Sequence, residues 1–113
     1  MRIFKLTEKE AKNIAKTVFD FCEKIDGEDG WTRTEGRGWF IPSMVSRIKE
    51  NPISAAFDCE NIILNLMVLR KIAKDSPEWC EGIKIADFCG DELRNMTMFC
   101  KAERDAIRKG SLA

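Results

Sequence analysis

Three helix-start signals divide the sequence, and together they restrict it to a mainly helical fold. Thr7 and Glu10 form a capping box, in which each side chain satisfies a free backbone amide of the first helical turn. Asn51-Pro52 and Ser76-Pro77 each place a capping residue before a proline, which is favoured where its missing N–H costs nothing. We therefore expect helices to begin after residues 7, 51 and 76.

Apolar residues recur at helical spacing between these signals. The first helix should end at Gly27, and its inner stripe comprises Ala11, Ile14, Ala15, Val18, Cys22 and Ile25. A short helix is expected from Ser43 to about residue 50, and a long one from 52 to about 74, whose apolar stretch 62–69 makes it central. Cys89-Gly90 should end a fourth helix and Asp91 should cap a fifth, which Gly110 follows. The prediction is one domain, residues 1–113, folded as a compact bundle of four to five helices.

Residues 27–42 break the helical pattern. They hold four of the seven glycines and two of the three tryptophans. The sequences WTRT, residues 31–34, and WFIP, residues 39–42, flank a glycine-bearing connection that can supply the positive φ angles of a tight turn. We predict a small β-hairpin or an irregular Gly/Trp-rich insertion after the first helix.

The composition argues against catalysis. The chain contains no histidine and no tyrosine, so the most common general base and the usual partner of a nucleophilic serine or cysteine are missing. No phosphate-binding loop or complete dinucleotide fingerprint is present. The five cysteines include no CxxC pair, which favours reduced thiols over a zinc site or a disulfide framework. We expect no enzyme activity, no cofactor and no metal.

Charge and hydropathy restrict the kind of partner and the cellular location that we expect. Nineteen basic and nineteen acidic side chains cancel, whereas a nucleic-acid-binding domain usually has a basic excess. No uninterrupted apolar run approaches the roughly 18 residues of a membrane span, and the N-terminus lacks the apolar core of a signal peptide. We expect a cytoplasmic protein without a membrane partner.

The strongest candidate for a binding surface is the irregular segment. Tryptophan and arginine are enriched at the energetic centres of protein interfaces because they bury a large area and still donate directional hydrogen bonds. The candidate partner-binding residues are Trp31, Arg33, Arg37 and Trp39. The alternative is that the two tryptophans fold back to cap the bundle and the two arginines are ordinary turn residues.

A basic stripe near the C-terminus supports a second hypothesis. Arg94, Lys101, Arg104 and Arg108 recur at helical spacing and could contact phosphates, so they are the candidate nucleic-acid-binding residues. Nearby Glu103 and Asp105 dilute the stripe, and cations near a helix C-terminus also favour the helix dipole. A solvated helix face is the alternative explanation.

These observations favour a non-catalytic protein–protein interaction module, such as a small inhibitor or regulator. A phage-type protein that blocks a nuclease of a bacterial defence system is one example, and the partner would then be a nuclease or a nucleoprotein complex. A nucleic-acid-binding protein is the alternative. The very apolar central helix also makes a homodimer a candidate assembly.

Overall fold

Four helices make up the described part of the protein. The computed structural model describes residues 7–27, 30 and 36–98, with side chains to residue 94. The helices are α1 (Glu8–Asp26), α2 (Gly36–Glu50), α3 (Pro52–Leu69) and α4 (Pro77–Met98), and no strand occurs within these ranges. The prediction of a mainly helical bundle is confirmed.

Helix α1 begins and ends where the sequence predicts. Thr7 Oγ1 accepts a hydrogen bond from the Glu10 backbone N–H at 3.1 Å, and Glu10 Oε1 accepts one from the Thr7 N–H at 3.1 Å. Gly27 ends the helix with a φ of 65°, a left-handed conformation that glycine adopts without a steric penalty. The predicted apolar stripe lies in the core, with Ile25 at its edge.

Helix α2 corrects the hairpin prediction. Its residues 39–42 are helical, so the predicted second strand, WFIP, is wrong; the predicted first strand, residues 31–34, lies outside the described residues. Pro42 stands in the second turn, where it removes one N–H donor, and Gly38 four residues earlier offers open space beside the helix. Burial of Phe40, Ile41 and Met44 favours the helix over the extended form that the glycines and proline suggest.

Helix α3 begins as predicted but ends earlier. Asn51 Oδ1 accepts from the Ser54 N–H at 3.1 Å, so the predicted cap is confirmed. Lys71 adopts a φ of 56°, and the Ile72 N–H donates to the Met67 carbonyl at 2.9 Å. This bond is the Schellman pattern, which closes a helix and turns Ile72 back against the core. The helix therefore ends at Leu69 and not near residue 74.

Helix α4 runs without interruption through Cys89 and Gly90, where the sequence predicted a break and a fifth helix. Ser76 caps its start, accepting from the Trp79 N–H at 3.2 Å, as expected. Gly90 is buried against α3, and a Cβ atom there would lie 2.5 Å from Glu60 Oε1. Gly90 thus permits close packing between helices instead of ending one.

Helix α3 packs against α1, α2 and α4, and α1 likewise packs against the other three helices, so these contacts do not single out α3 as the central helix that the sequence predicts. Among the described residues α3 is also the one helix long and apolar enough to cross a membrane. Asp58 and Glu60 nevertheless form ion pairs with Arg47 of α2 and Arg94 of α4. These ion pairs and contacts join α3 to its neighbours in the bundle, while 33% of the helix is buried and Phe57, Val68 and Leu69 are exposed.

Candidate functional site: a groove between α2 and α3

Two connected depressions lie between α2 and α3. Their volumes are about 630 and 350 Å³. Both are lined by Trp39, Phe40, Ile62 and Asn65, so they form one continuous groove. Along α3 the groove extends from Asp58 to Arg70, which corresponds to about 18 Å of helix.

The floor of the groove is apolar and its rim carries a large aromatic side chain. Phe40 and Leu66 are buried at the floor, and Ile62 is half-buried beside them. Trp39 is 53% exposed and packs edge-on against Phe40, with ring centroids 6.0 Å apart. Leu69 extends the apolar surface and is 74% exposed. The groove therefore presents solvent-exposed apolar area.

An ion pair stands at each end of the groove. At one end Arg47 of α2 binds Asp58 of α3, and both side chains are partly exposed. At the other end Asp26, the last residue of α1, accepts from Arg70 Nε at 2.8 Å through its Oδ1 atom, with a second bond from Arg70 Nη2. Each pair joins two helices, so the ends of the groove are fixed by charge while its middle is held by apolar packing.

The Asp26 carboxylate is buried and only half satisfied. Its side chain is 3% exposed, and its Oδ2 atom has no hydrogen-bond partner in the structure described here. Gly30 lies directly over this oxygen, because a Cβ atom at residue 30 would fall 1.2 Å from Oδ2. A buried carboxylate with one arginine is stable only while that arginine stays in place.

Two asparagines form the α3 wall of the groove. Asn61 and Asn65 are both exposed, and neither side-chain amide has a hydrogen-bond partner within the described ranges. They lie four residues apart, so both amides project from the same side of α3. Each amide offers two donors and an acceptor to whatever enters the groove.

The structure separates the two predicted partner-binding residues that it describes. Trp39 lines the groove, whereas Arg37 binds Asp20 of α1 and places its guanidinium 4.8 Å from the centroid of the Phe19 ring. Positions two residues apart on a helix point about 200° away from each other, so a helical α2 cannot present both on one surface. Trp31 and Arg33 lie outside the described residues.

The basic stripe of the second hypothesis is described only at its first residue. Arg94 binds Glu60 at 2.7 Å and lies 4.9 Å from the centroid of the Phe57 ring. These contacts hold the guanidinium against α3. Lys101, Arg104 and Arg108 lie outside the described residues.

The buried cysteines are poor nucleophiles. Burial raises the pKa of the Cys22 and Cys59 thiols from 9.0 to about 12, with smaller contributions from nearby carboxylates. Burial likewise raises the pKa of Cys89. A thiol must lose its proton to attack a substrate or bind a metal, so these three side chains act as core residues at neutral pH. Cys80 is exposed.

Sequence reasoning missed Asn61, Asn65 and Arg70 as groove residues. Asn65 carried a usable signal, since it is the single polar side chain within the apolar stretch 62–69. An amide in such a stretch either has a buried partner or marks the side of the helix that the core leaves uncovered. Asp26 and Arg70, which are 44 positions apart, gave no comparable local signal.

The chain matches no protein-family model, no curated protein and no solved structure.

Proposed function

We propose that this protein is a non-catalytic protein–protein interaction module that binds its partner in the groove between α2 and α3. One observation carries the proposal: Trp39 is half-exposed at the rim of an apolar groove with a buried aromatic floor. Tryptophan in such a position buries a large area when a partner covers it, and it can still donate a hydrogen bond from its indole N–H.

The charges around the groove support a protein partner over a nucleic acid. Asp26 is bound to Arg70 and Asp58 to Arg47, so the four charged groove residues neutralise one another in pairs. Binding to phosphates depends on cations that can replace counterions, and these two arginines already have carboxylate partners. An apolar floor with balanced charges at its ends is instead typical of the centre of a protein interface.

Regulation or inhibition is the output that we propose for this binding. A small module acts most directly by covering a surface that its partner needs for its own activity. A nuclease or a nucleoprotein complex, the partner suggested by the sequence, is the hypothesis for the protein whose surface is covered. The groove then supplies the contact surface, while Arg37 helps to fix the helix that presents Trp39.

The test is a pull-down from host lysate with the wild-type chain, Trp39→Ala and Phe88→Ala, each with and without nuclease. Phe88 is the matched control because it is also a large aromatic side chain, 41% exposed, on α4 and outside the groove. A protein recovered by the wild type is then purified, and its affinity for each variant is measured by calorimetry. Circular dichroism checks that each variant is folded.

The expected result is a nuclease-resistant partner whose affinity falls about 30-fold or more in Trp39→Ala, as for an interface hot spot, and changes little in Phe88→Ala. Equal affinity for the wild type and Trp39→Ala would remove the groove as the binding site. Recovery that disappears with nuclease would favour the nucleic-acid hypothesis and contradict the proposal.

A further inference from the structure

The two asparagines on the groove wall indicate what kind of partner segment the groove accepts. Asn61 and Asn65 are exposed, point the same way from α3 and have no hydrogen-bond partner among the described residues. A partner that covers the groove takes these amides out of water. Since an amide buried without a hydrogen bond costs free energy, the partner must supply donors and acceptors at both positions.

We propose that the groove binds an uncharged, extended segment of its partner and that Asn61 and Asn65 hydrogen-bond to the main chain of that segment. This inference depends on the proposed function, because it assigns the conformation and chemistry of the bound segment at the same site.

The spacing of the two amides fits an extended chain. Residues four apart on a helix are separated by about 6 Å along its axis, and alternate residues of an extended chain by about 6.6 Å. A side-chain amide has the donor and acceptor of a peptide group, so each asparagine can pair with the N–H and C=O of one segment residue. Successive asparagines on α3 would thus meet residues i and i+2 of the segment.

A helical segment would form fewer hydrogen bonds with the two asparagine amides. Inside a helix the backbone N–H and C=O groups are bonded to one another, so only side chains remain to meet Asn61 and Asn65. An extended segment has a full set of unbonded backbone groups. Its alternate side chains point to one side, where Phe40 and Leu66 form the apolar floor.

Length and charge complete the description of the segment. The groove extends about 18 Å along α3, which accommodates about five residues of extended chain. The ion pairs at its two ends leave the lining without net charge, so a charged side chain in the middle of the segment would be desolvated without a counterion. The segment is therefore uncharged, with an apolar or aromatic side chain beside Trp39.

The probe is a phage-displayed library of linear random 12-residue peptides, selected on the wild-type chain and counter-selected on Trp39→Ala. Enriched peptides are synthesised, and their affinities are measured for the wild type, Asn61→Ala/Asn65→Ala and Phe88→Ala. Each peptide is also made with single backbone N-methyl groups at successive positions, and in a version stapled as a helix. Both alanine substitutions fall on exposed helical positions and raise helix propensity, so the double variant should remain folded.

We expect selected peptides of uncharged, apolar sequence whose affinity falls at least about 10-fold in Asn61→Ala/Asn65→Ala and is unchanged in Phe88→Ala. N-methylation should weaken binding at alternate positions, because every second N–H of an extended chain faces α3. The stapled peptide should bind more weakly than the linear one.

Two results would overturn the inference in different ways. Peptides that depend on Trp39 but are insensitive to the asparagine pair and to N-methylation, or that bind better when stapled, would show that the groove takes a helix, and the proposed function would survive. Enrichment without any dependence on Trp39, or no enrichment, would contradict both the inference and the proposed binding site.

Discussion

The two sides of α3 show opposite ways of packing a helix. On one side α4 lies close to α3 through three small residues, Gly82, Ala86 and Gly90, of which the first faces Met67. On the other side α2 contacts α3 around the groove, for example where Met44 meets the buried Cys59, and Trp39 lies at the rim. Small residues let α3 and α4 approach closely at this contact, which we call the seam, whereas bulky and polar residues keep α2 and α3 apart at the groove. The open side is where a partner can still gain contact area.

The polar groups on α3 follow the same division. Glu60 faces α4 and is bound to Arg94, whereas Asn61 and Asn65 face the groove without partners among the described residues. Asn61 and Asn65 are exposed to solvent, so in the interaction that we propose their amides exchange water for polar groups of the partner.

The largest effect is expected from removing the cation at one end of the open side. Arg70→Ala leaves the Asp26 carboxylate, which is 3% exposed, without its counterion. We expect a loss of about 3 kcal/mol in the free energy of unfolding, near the lower end for a broken buried pair because Arg70 is 35% exposed. Urea denaturation followed by circular dichroism measures this loss.

The pair at the opposite end of the groove is the matched control. Arg47 and Asp58 are 54% and 32% exposed, so Arg47→Ala should cost less than about 1 kcal/mol. Asp26→Asn combined with Arg70→Ala should recover part of the loss, since no buried charge is then left alone. If Arg70→Ala and Arg47→Ala are equally stable, the ion pairs at the two ends of the groove do not differ in strength as their burial predicts.

The closed side should be sensitive to a single methyl group. In Gly82→Ala the new Cβ atom would lie 2.3 Å from Met67 Sδ and 2.8 Å from Phe21 Cζ, so core side chains must shift. Overpacking of this kind should destabilise the protein by about 2 kcal/mol, measured by the same urea titration.

Gly90→Ala is the control for that variant. Its Cβ atom would approach the flexible ends of Glu60 and Arg94, which are partly exposed and can turn away. The loss should be well below that of Gly82→Ala, because alanine also gains helix propensity. A larger loss at Gly90 would place the tightest contact of the seam near Glu60 instead of Met67.

Burial of the Cys59 thiol in the core should make the free energy of unfolding fall at alkaline pH. The pKa of Cys59 is about 12 in the folded protein and 9.0 ordinarily, so the unfolded chain releases this proton first. The stabilising contribution is complete below pH 9.0 and is lost as the pH rises toward about 12. From about pH 8 to about pH 10, wild type should lose about 1.4 kcal/mol more than Cys59→Ala.

The constant cost of the cavity in Cys59→Ala does not affect this comparison, because only the change with pH is read. Between about pH 6 and about pH 8 the two curves should remain parallel, since the thiol is protonated in both states there. Parallel curves up to about pH 10 would mean that water reaches Cys59.

Local signals were enough to predict the starts of α1, α3 and α4, since Thr7, Asn51 and Ser76 act within one turn of themselves. The start predicted at Ser43 is wrong, because Ser43 lies inside α2, which begins at Gly36. Local signals failed where the deciding contact is distant in sequence. Gly90 has the local appearance of a helix end, yet its role depends on Glu60, thirty residues earlier. For the same reason Trp39 was found as a candidate from its residue type, while its separation from Arg37 required the helical geometry of α2.

The smallest predicted effect is a gain in stability, at a glycine that has open space beside it. A Cβ atom at Gly38, in the first turn of α2, would meet nothing within 4 Å outside the helix's own backbone. Gly38→Ala should therefore stabilise the protein by about 0.5–1 kcal/mol, through the backbone entropy that glycine loses on folding. Thermal unfolding beside Gly82→Ala provides the comparison. The same substitution would then have opposite signs at a glycine with open space beside it and at a packed one, and a loss at both positions would mean that Gly38 also has close neighbours.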